Sequence, residues 1–192
     1  MIVLSFSFPL FPFQNLSSSL LPSLSPLSLP RNMLAPLLSF LLKPKPYIQR
    51  DVDNFLSQHV KGRRLIGVQM RTTEKYADED LLSIYGECIS LVSRNFSNEV
   101  IFVSTDSVTA RDMLIQRFGS DRVIFHRDET IEMSHNCGRY RTTVLHGIKD
   151  ILTLARCDEM VVTCGSSFSR VAVGLARKPP IVVSGMCAHV CV

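Results

Sequence analysis

The sequence predicts a doubly wound α/β fold, and three observations predict it. Short apolar runs rich in Val and Ile recur along the chain, each bounded by charge or turn residues. Longer segments between them carry apolar residues at helical spacing. The two kinds alternate five times over, the pattern of a mostly parallel sheet covered by helices on both faces.

Residues 1–30 stand apart from that pattern. They hold no charged side chain and consist largely of Leu, Phe, Ser and Pro. Pro9, Pro12, Pro22, Pro26 and Pro30 interrupt every apolar run before it reaches membrane-spanning length. The basic start of a signal peptide is missing as well. Two readings stand, a disordered low-complexity leader and a signal anchor. The folded domain is therefore expected over 31–192.

After a Pro-punctuated entry, a helix is predicted from Pro46 to His59. RLIGVQM (64–70) reads as a buried strand. In residues 80–96, Leu81, Tyr85, Cys88, Val92 and Phe96 fall at helical spacing. EVIFVST (99–105) is strand, and SVTARDMLIQRFG is a helix closed by Gly119. DRVIFH (121–126) is strand. In RTTVLHGIKDILTLARC (141–157), Val144, Ile148, Ile151 and Ala155 share one helix face. EMVVT (159–163), SSFSRVAVGLAR (166–177) and PIVVS (180–184) complete the series as strand, helix and strand.

Charge excludes little but points somewhere. The 192 residues carry a formal net charge of +4, a mild bias toward an anionic ligand and no sign of a nucleic-acid-coating surface. The six cysteines are scattered. Cys187 and Cys191 are spaced C-x3-C without a second ligand pair, which argues against zinc. Disulfides are compatible with the count, but their connectivity is not legible. Asn15 and Asn95 each begin a glycosylation triplet, as suits a secretory-pathway protein.

The site prediction comes from where charge interrupts the pattern. In a doubly wound sheet, ligands bind beyond the carboxyl ends of the strands, where strand order reverses. With the order 3-2-1-4-5, the first and fourth strands flank that point. The first runs into Arg71, Glu74 and Lys75. The fourth runs into Gly165, Ser166 and Ser167, which open a helix. A helix start offers N–H groups to an anion, and an arginine fork binds two phosphate oxygens at once. Each feature also has an ordinary counterpart: a strand-end surface arginine, and a serine N-cap. No GxGxxG or GxxxxGK[ST] is present. An α/β-hydrolase fails on inventory, since no acid follows Glu159 and His189 is the only later histidine.

Three stretches carry a family resemblance: IGVQMRTTEK, VIFVSTDS and DILTLARCDEMVVTCGSSFSRVA. Together they resemble the motifs of the GDP-fucose-dependent fucosyltransferases, the α1,6-, Nod-factor and O-fucosyltransferase group. The likeness covers roughly 34–185 and implies a Rossmann-like sheet of about five strands, the C-terminal half of a GT-B-like glycosyltransferase. On this resemblance the acceptor-binding half that normally precedes it is not expected within residues 1–192. The implied reaction moves fucose from GDP-fucose to a glycan or protein hydroxyl, with inversion and without metal or other cofactor. The implied setting is the Golgi or secretory-pathway lumen, with no nucleic-acid partner and membrane contact only through the leader.

Residue by residue, the resemblance implies that Arg71 grips the β-phosphate and that Ser166, with Gly165 and Ser167, supports it from the helix start. Asp150 would receive guanine N1–H and the exocyclic amine, or else be a helix-surface carboxylate. Asp106 and Glu74 would lie near the nucleotide, though Asp106 also reads as an N-cap. Glu79 would take the acceptor hydroxyl's proton while Lys75 steadies the leaving phosphate. Those two equally fit an i,i+4 surface ion pair. Three departures stand out: Gln69 where the family has His, Thr72 where a second arginine is common, and Ser107 for the second Asp of TDD. They leave a second function open, a GDP- or nucleotide-sugar-binding module that does not turn its ligand over.

Overall fold

In a computed structural model, β1 (Arg64–Met70) is buried from Leu65 onward and forms the centre of the sheet. Parallel to it on one side runs β2 (Glu99–Thr105), and on the other β4 (Glu159–Thr163). Beyond β2 lies β3 (Val123–Ile124), and beyond β4 lies β5 (Ile181–Ser184), both parallel. A sixth strand, β6 (Cys187–Val190), pairs antiparallel with β5. The order β3-β2-β1-β4-β5-β6 reverses between β1 and β4, the predicted switch point. The structure describes residues 36, 38, 40, 42–71, 79–93, 98–126, 141–163, 165–176, 181–184 and 187–190, the side chains of 79–82, 141–143, 181–184 and 187–190 excepted. The leader, the glycosylation triplets at Asn15 and Asn95, and Glu74 and Lys75 lie outside the described residues.

Helices cover both faces, as strand periodicity requires. Alternate β1 residues point opposite ways. Ile66, Val68 and Met70 meet Tyr85, Cys88 and Ile89 of α2 (Glu79–Val92) and Ala110, Leu114 and Phe118 of α3 (Val108–Phe118). Leu65 faces the other layer, with Val100, Phe102 and Val162. That layer is closed by Phe55 and Leu56 of α1 (Pro46–His59), Ile151 and Leu154 of α4 (Arg141–Leu154), and Ala172 of α5 (Ser167–Ala176). Pro46 opens α1 without losing a bond, because first-turn N–H groups have no intrahelical partner.

Gly67 is fixed by crowding. A Cβ there would lie 2.7 Å from Cys157 Sγ and 3.0 Å from Leu154 Cδ2, where α4 ends against the sheet. Gly67→Ala is expected to lower the unfolding free energy by about 1–3 kcal/mol through overpacking. Urea unfolding measures this, and an unchanged midpoint would show that α4 can withdraw at no cost.

Cys88 and Cys157 are buried, one in each core layer, and the Cys157 thiol donates to Thr153 O at 3.3 Å. Burial, reinforced by the charge of Glu87, pushes the Cys88 thiol above its ordinary value.

Four expectations are corrected. The third strand is Val123–Ile124 rather than 121–126, because the next residues leave the sheet. Phe125 sits under the Arg111 guanidinium, and His126 packs against Phe55 and Phe102. Helix start Asp106 is not the N-cap of α3: Ser107 is, its Oγ accepting from Ala110 N–H at 3.2 Å. Val144 and Ile148 do not join the buried face; they are 53% and 37% exposed. Thr153 and Leu154 are fully buried and Asp150 meets Ser104, so the sheet-facing side of α4 runs through 150, 153 and 154, and Val144 and Ile148 are turned away from it. Finally, β6 was not expected at all.

The opposite end of the sheet is held by charge. Arg64 reaches Glu99 at 2.7 Å and Glu159 at 2.9 Å, tying the amino ends of three adjacent strands. It also donates to Val92 O at 2.8 Å, and Ser93 Oγ donates to Glu99 Oε2.

Candidate nucleotide site at the switch point

Arg71 follows β1, and its backbone N–H donates to Thr163 Oγ1, the last residue of β4, at 2.9 Å. The Arg71 side chain is exposed. Two residues past Thr163, Gly165 takes φ +75°, a left-handed conformation that favours glycine, with open space where a Cβ would stand. This turn delivers the chain into α5. Ser166 is the N-cap: its Oγ accepts from Ser169 N–H at 3.4 Å and its carbonyl from Arg170 N–H at 3.1 Å. Ser167 is exposed at the helix mouth, and no acidic residue occupies the first turn. The crevice thus has an arginine on one lip and a helix start on the other, both favourable to an anion.

Polar residues that pattern reasoning left unassigned tie these lips together. Thr163 Oγ1 meets the Tyr85 hydroxyl at 2.6 Å and donates to Gln69 O at 3.2 Å. Tyr85 OH also reaches Gln69 O, at 3.3 Å. On the other face of β1, the buried Gln69 side chain accepts from Ser169 Oγ of α5 through Oε1. Gln69 therefore clips the end of β1 to the first turn of α5. No sequence signal marks these pairs: Tyr85 reads as one more apolar position, and its partner is 78 residues away.

Asp150 and Asp106 lie along the same carboxyl edge. Ser104, paired in register with Gln69, donates to Asp150 Oδ2 at 2.8 Å. This bond fixes the orientation of the carboxylate. Asp106 directly follows β2 and is half-buried. Farther along, His126 Nε2 meets Thr153 Oγ1 at 2.7 Å. The structure thus gathers Arg71, Asp106, Asp150, Gly165, Ser166 and Ser167 along the carboxyl edge of three neighbouring strands, β2, β1 and β4. Glu79 opens α2, which packs behind β1, but its side chain lies outside the described residues. Among those residues no His, Cys, Asp and Glu group is arranged to hold a metal ion, and no helix is long and apolar enough to cross a membrane.

A parallel sheet whose strand order reverses between β1 and β4, with helices on both faces, defines a Rossmann-like α/β domain. Over residues 29–178 the sequence matches the profile of the α-(1,6)-fucosyltransferase N- and catalytic domains, and the chain belongs to that family. Solved structures share its fold. Arabidopsis thaliana FUT1, as a point mutant in complex with GDP, superposes with a TM-score of 0.61 at 14% identity, over 79% of this chain and 36% of that one. The Bradyrhizobium α-1,6-fucosyltransferase NodZ, soaked with GDP-fucose, gives 0.54 at 23% identity, over 73% and 45%. POFUT1 in its apo form gives 0.54 at 12% identity, over 79% and 49%. These likenesses are of fold, that of the GT-B fucosyltransferases, and the chain spans less than half the length of each. Among curated proteins none matches the sequence.

Proposed function

We propose that this domain binds GDP-fucose at the switch point and forms the donor half of a fucosyltransferase. The reading rests above all on the Arg71–Thr163 contact, which sets a guanidinium-bearing residue beside the Gly165–Ser166 helix mouth in a chain of this family. A diphosphate seated there would be bound by the Arg71 fork, by the Ser166 and Ser167 region and by the positive end of α5. Charge that builds on the β-phosphate as the sugar leaves would be stabilised by the same groups, with no demand for a metal. Lys75 would add a second cation and Glu79 would take the acceptor proton, in a single displacement that inverts the sugar carbon. The acceptor is a glycan or protein hydroxyl, and the setting the secretory-pathway lumen.

Asp150 supplies the base selectivity. Its carboxylate, oriented by Ser104, suits the N1–H and exocyclic amine of guanine, and adenine offers no such pair. A site built to hydrogen-bond a group rejects analogues that lack it. Asp150→Asn, which cannot accept both donors, is expected to weaken GDP binding by about tenfold or more, by the usual loss for a charged hydrogen bond. ADP binding should stay as it was. An unaltered GDP/ADP ratio would remove Asp150 from the base site.

Calorimetry with GDP, GDP-fucose and ADP tests the reading as a whole. Guanine-selective binding supports it; equal, weak binding of all three ends it. A second function, binding without turnover, is favoured by Thr72, which puts a neutral residue where a second arginine is common in the family. Release of GDP from GDP-fucose in the presence of glycan acceptors separates the two.

A further inference from the structure

We infer that Thr163, held by Tyr85, is a positioning residue that sets the affinity for the second phosphate without touching it. The inference rests on the GDP reading above. Backbone pairing between β1 and β4 stops at Gln69 and Val162, so Arg71 lies beyond the ladder that orders the strand. The Thr163 side chain replaces that ladder. Its hydroxyl can donate once and accept twice. All three valences are filled when it accepts from Tyr85 OH at 2.6 Å and Arg71 N–H at 2.9 Å and donates to Gln69 O at 3.2 Å.

Both lips of the crevice depend on this one oxygen. It holds the backbone of Arg71 on one side, and its own residue stands two positions before Gly165 on the other. Tyr85 anchors the group from behind: it is fully buried in the layer between α2 and the sheet, so the phenol cannot drift. A small displacement of a charged binding group costs much of its effect, because the bidentate geometry is lost.

The test compares GDP with GMP on Thr163→Val, Thr163→Ser and Tyr85→Phe. A group that acts through Arg71 on the β-phosphate affects only the ligand that has one. Thr163→Val is expected to weaken GDP about tenfold, on the scale of a buried hydrogen bond lost, and to leave GMP unchanged. Thr163→Ser, which keeps the hydroxyl, should restore GDP affinity, and Tyr85→Phe should give a smaller loss of the same kind. Exchange of the Arg71 amide proton should be faster in Thr163→Val without any ligand, which checks the geometry independently. Equal losses of GDP and GMP would reveal a merely structural role and overturn the inference. So would wild-type GDP affinity in Thr163→Val, with the GDP reading left standing. Failure of the wild-type domain to bind GDP would remove both.

Discussion

Arg64→Met is expected to destabilise the domain by about 3–5 kcal/mol, the usual cost of removing one partner from a buried ion pair. Glu99 is only 1% exposed, and its carboxylate was desolvated on the strength of the guanidinium 2.7 Å away. Without that cation the charge stays buried beside Ser93, at the amino ends of three strands. Burial opposes the charge on Arg64, but its bonds and attraction to Glu99 and Glu159 prevail and raise its pKa further. A raised pKa gives stability that is present below the unfolded value and lost only above the folded one. Both lie far above working pH, so the arginine's contribution is constant there. Replacing Arg64 and Glu99 together by methionine should recover part of the loss, since an apolar pair leaves no buried charge. Urea denaturation decides: a single-variant loss below about 1 kcal/mol would place the network among weak surface pairs.

Arg71→Ala should act the other way, weakening binding far more than stability. The side chain is exposed, while the bond to Thr163 uses the backbone N–H and survives the substitution. A charged hydrogen bond is worth about 1.5–3 kcal/mol, and a fork makes two, so GDP affinity should fall by about a hundredfold or more. Arg71→Lys keeps the charge without the fork and should fall between the two. Titration of both variants against GDP and GMP supplies the check. Wild-type affinity for GDP in Arg71→Ala would show that the diphosphate sits elsewhere.

Much of the fold was legible because buried parallel strands read as unbroken Val and Ile runs. RLIGVQM and EVIFVST correspond to β1 and β2 residue for residue, and α1 has the predicted limits of Pro46 and His59. Strand order followed from chain order and the common doubly wound topology. β6 escaped because CAHV lacks a strand's alternation. Ser184 pairs with Cys187, so only Gly185 and Met186 separate β5 from β6, and a glycine opening a two-residue connection was the available hairpin signal. In the site, Arg71 and the Gly165–Ser166 start were visible as local punctuation of the pattern. The Gln69–Ser169 clip and the Tyr85–Thr163 pair were not, because each joins residues about 80 to 100 positions apart that carry no mark of their partner.

The sixth strand has a consequence for solubility. An open sheet invites a second molecule to add its own backbone along any long, flat margin. Here one margin is the two-residue β3 and the other the four-residue, reversed β6. Neither offers a template long enough to recruit a neighbouring chain, so the borders of the described sheet resist fibril-like stacking while its longest strands stay enclosed.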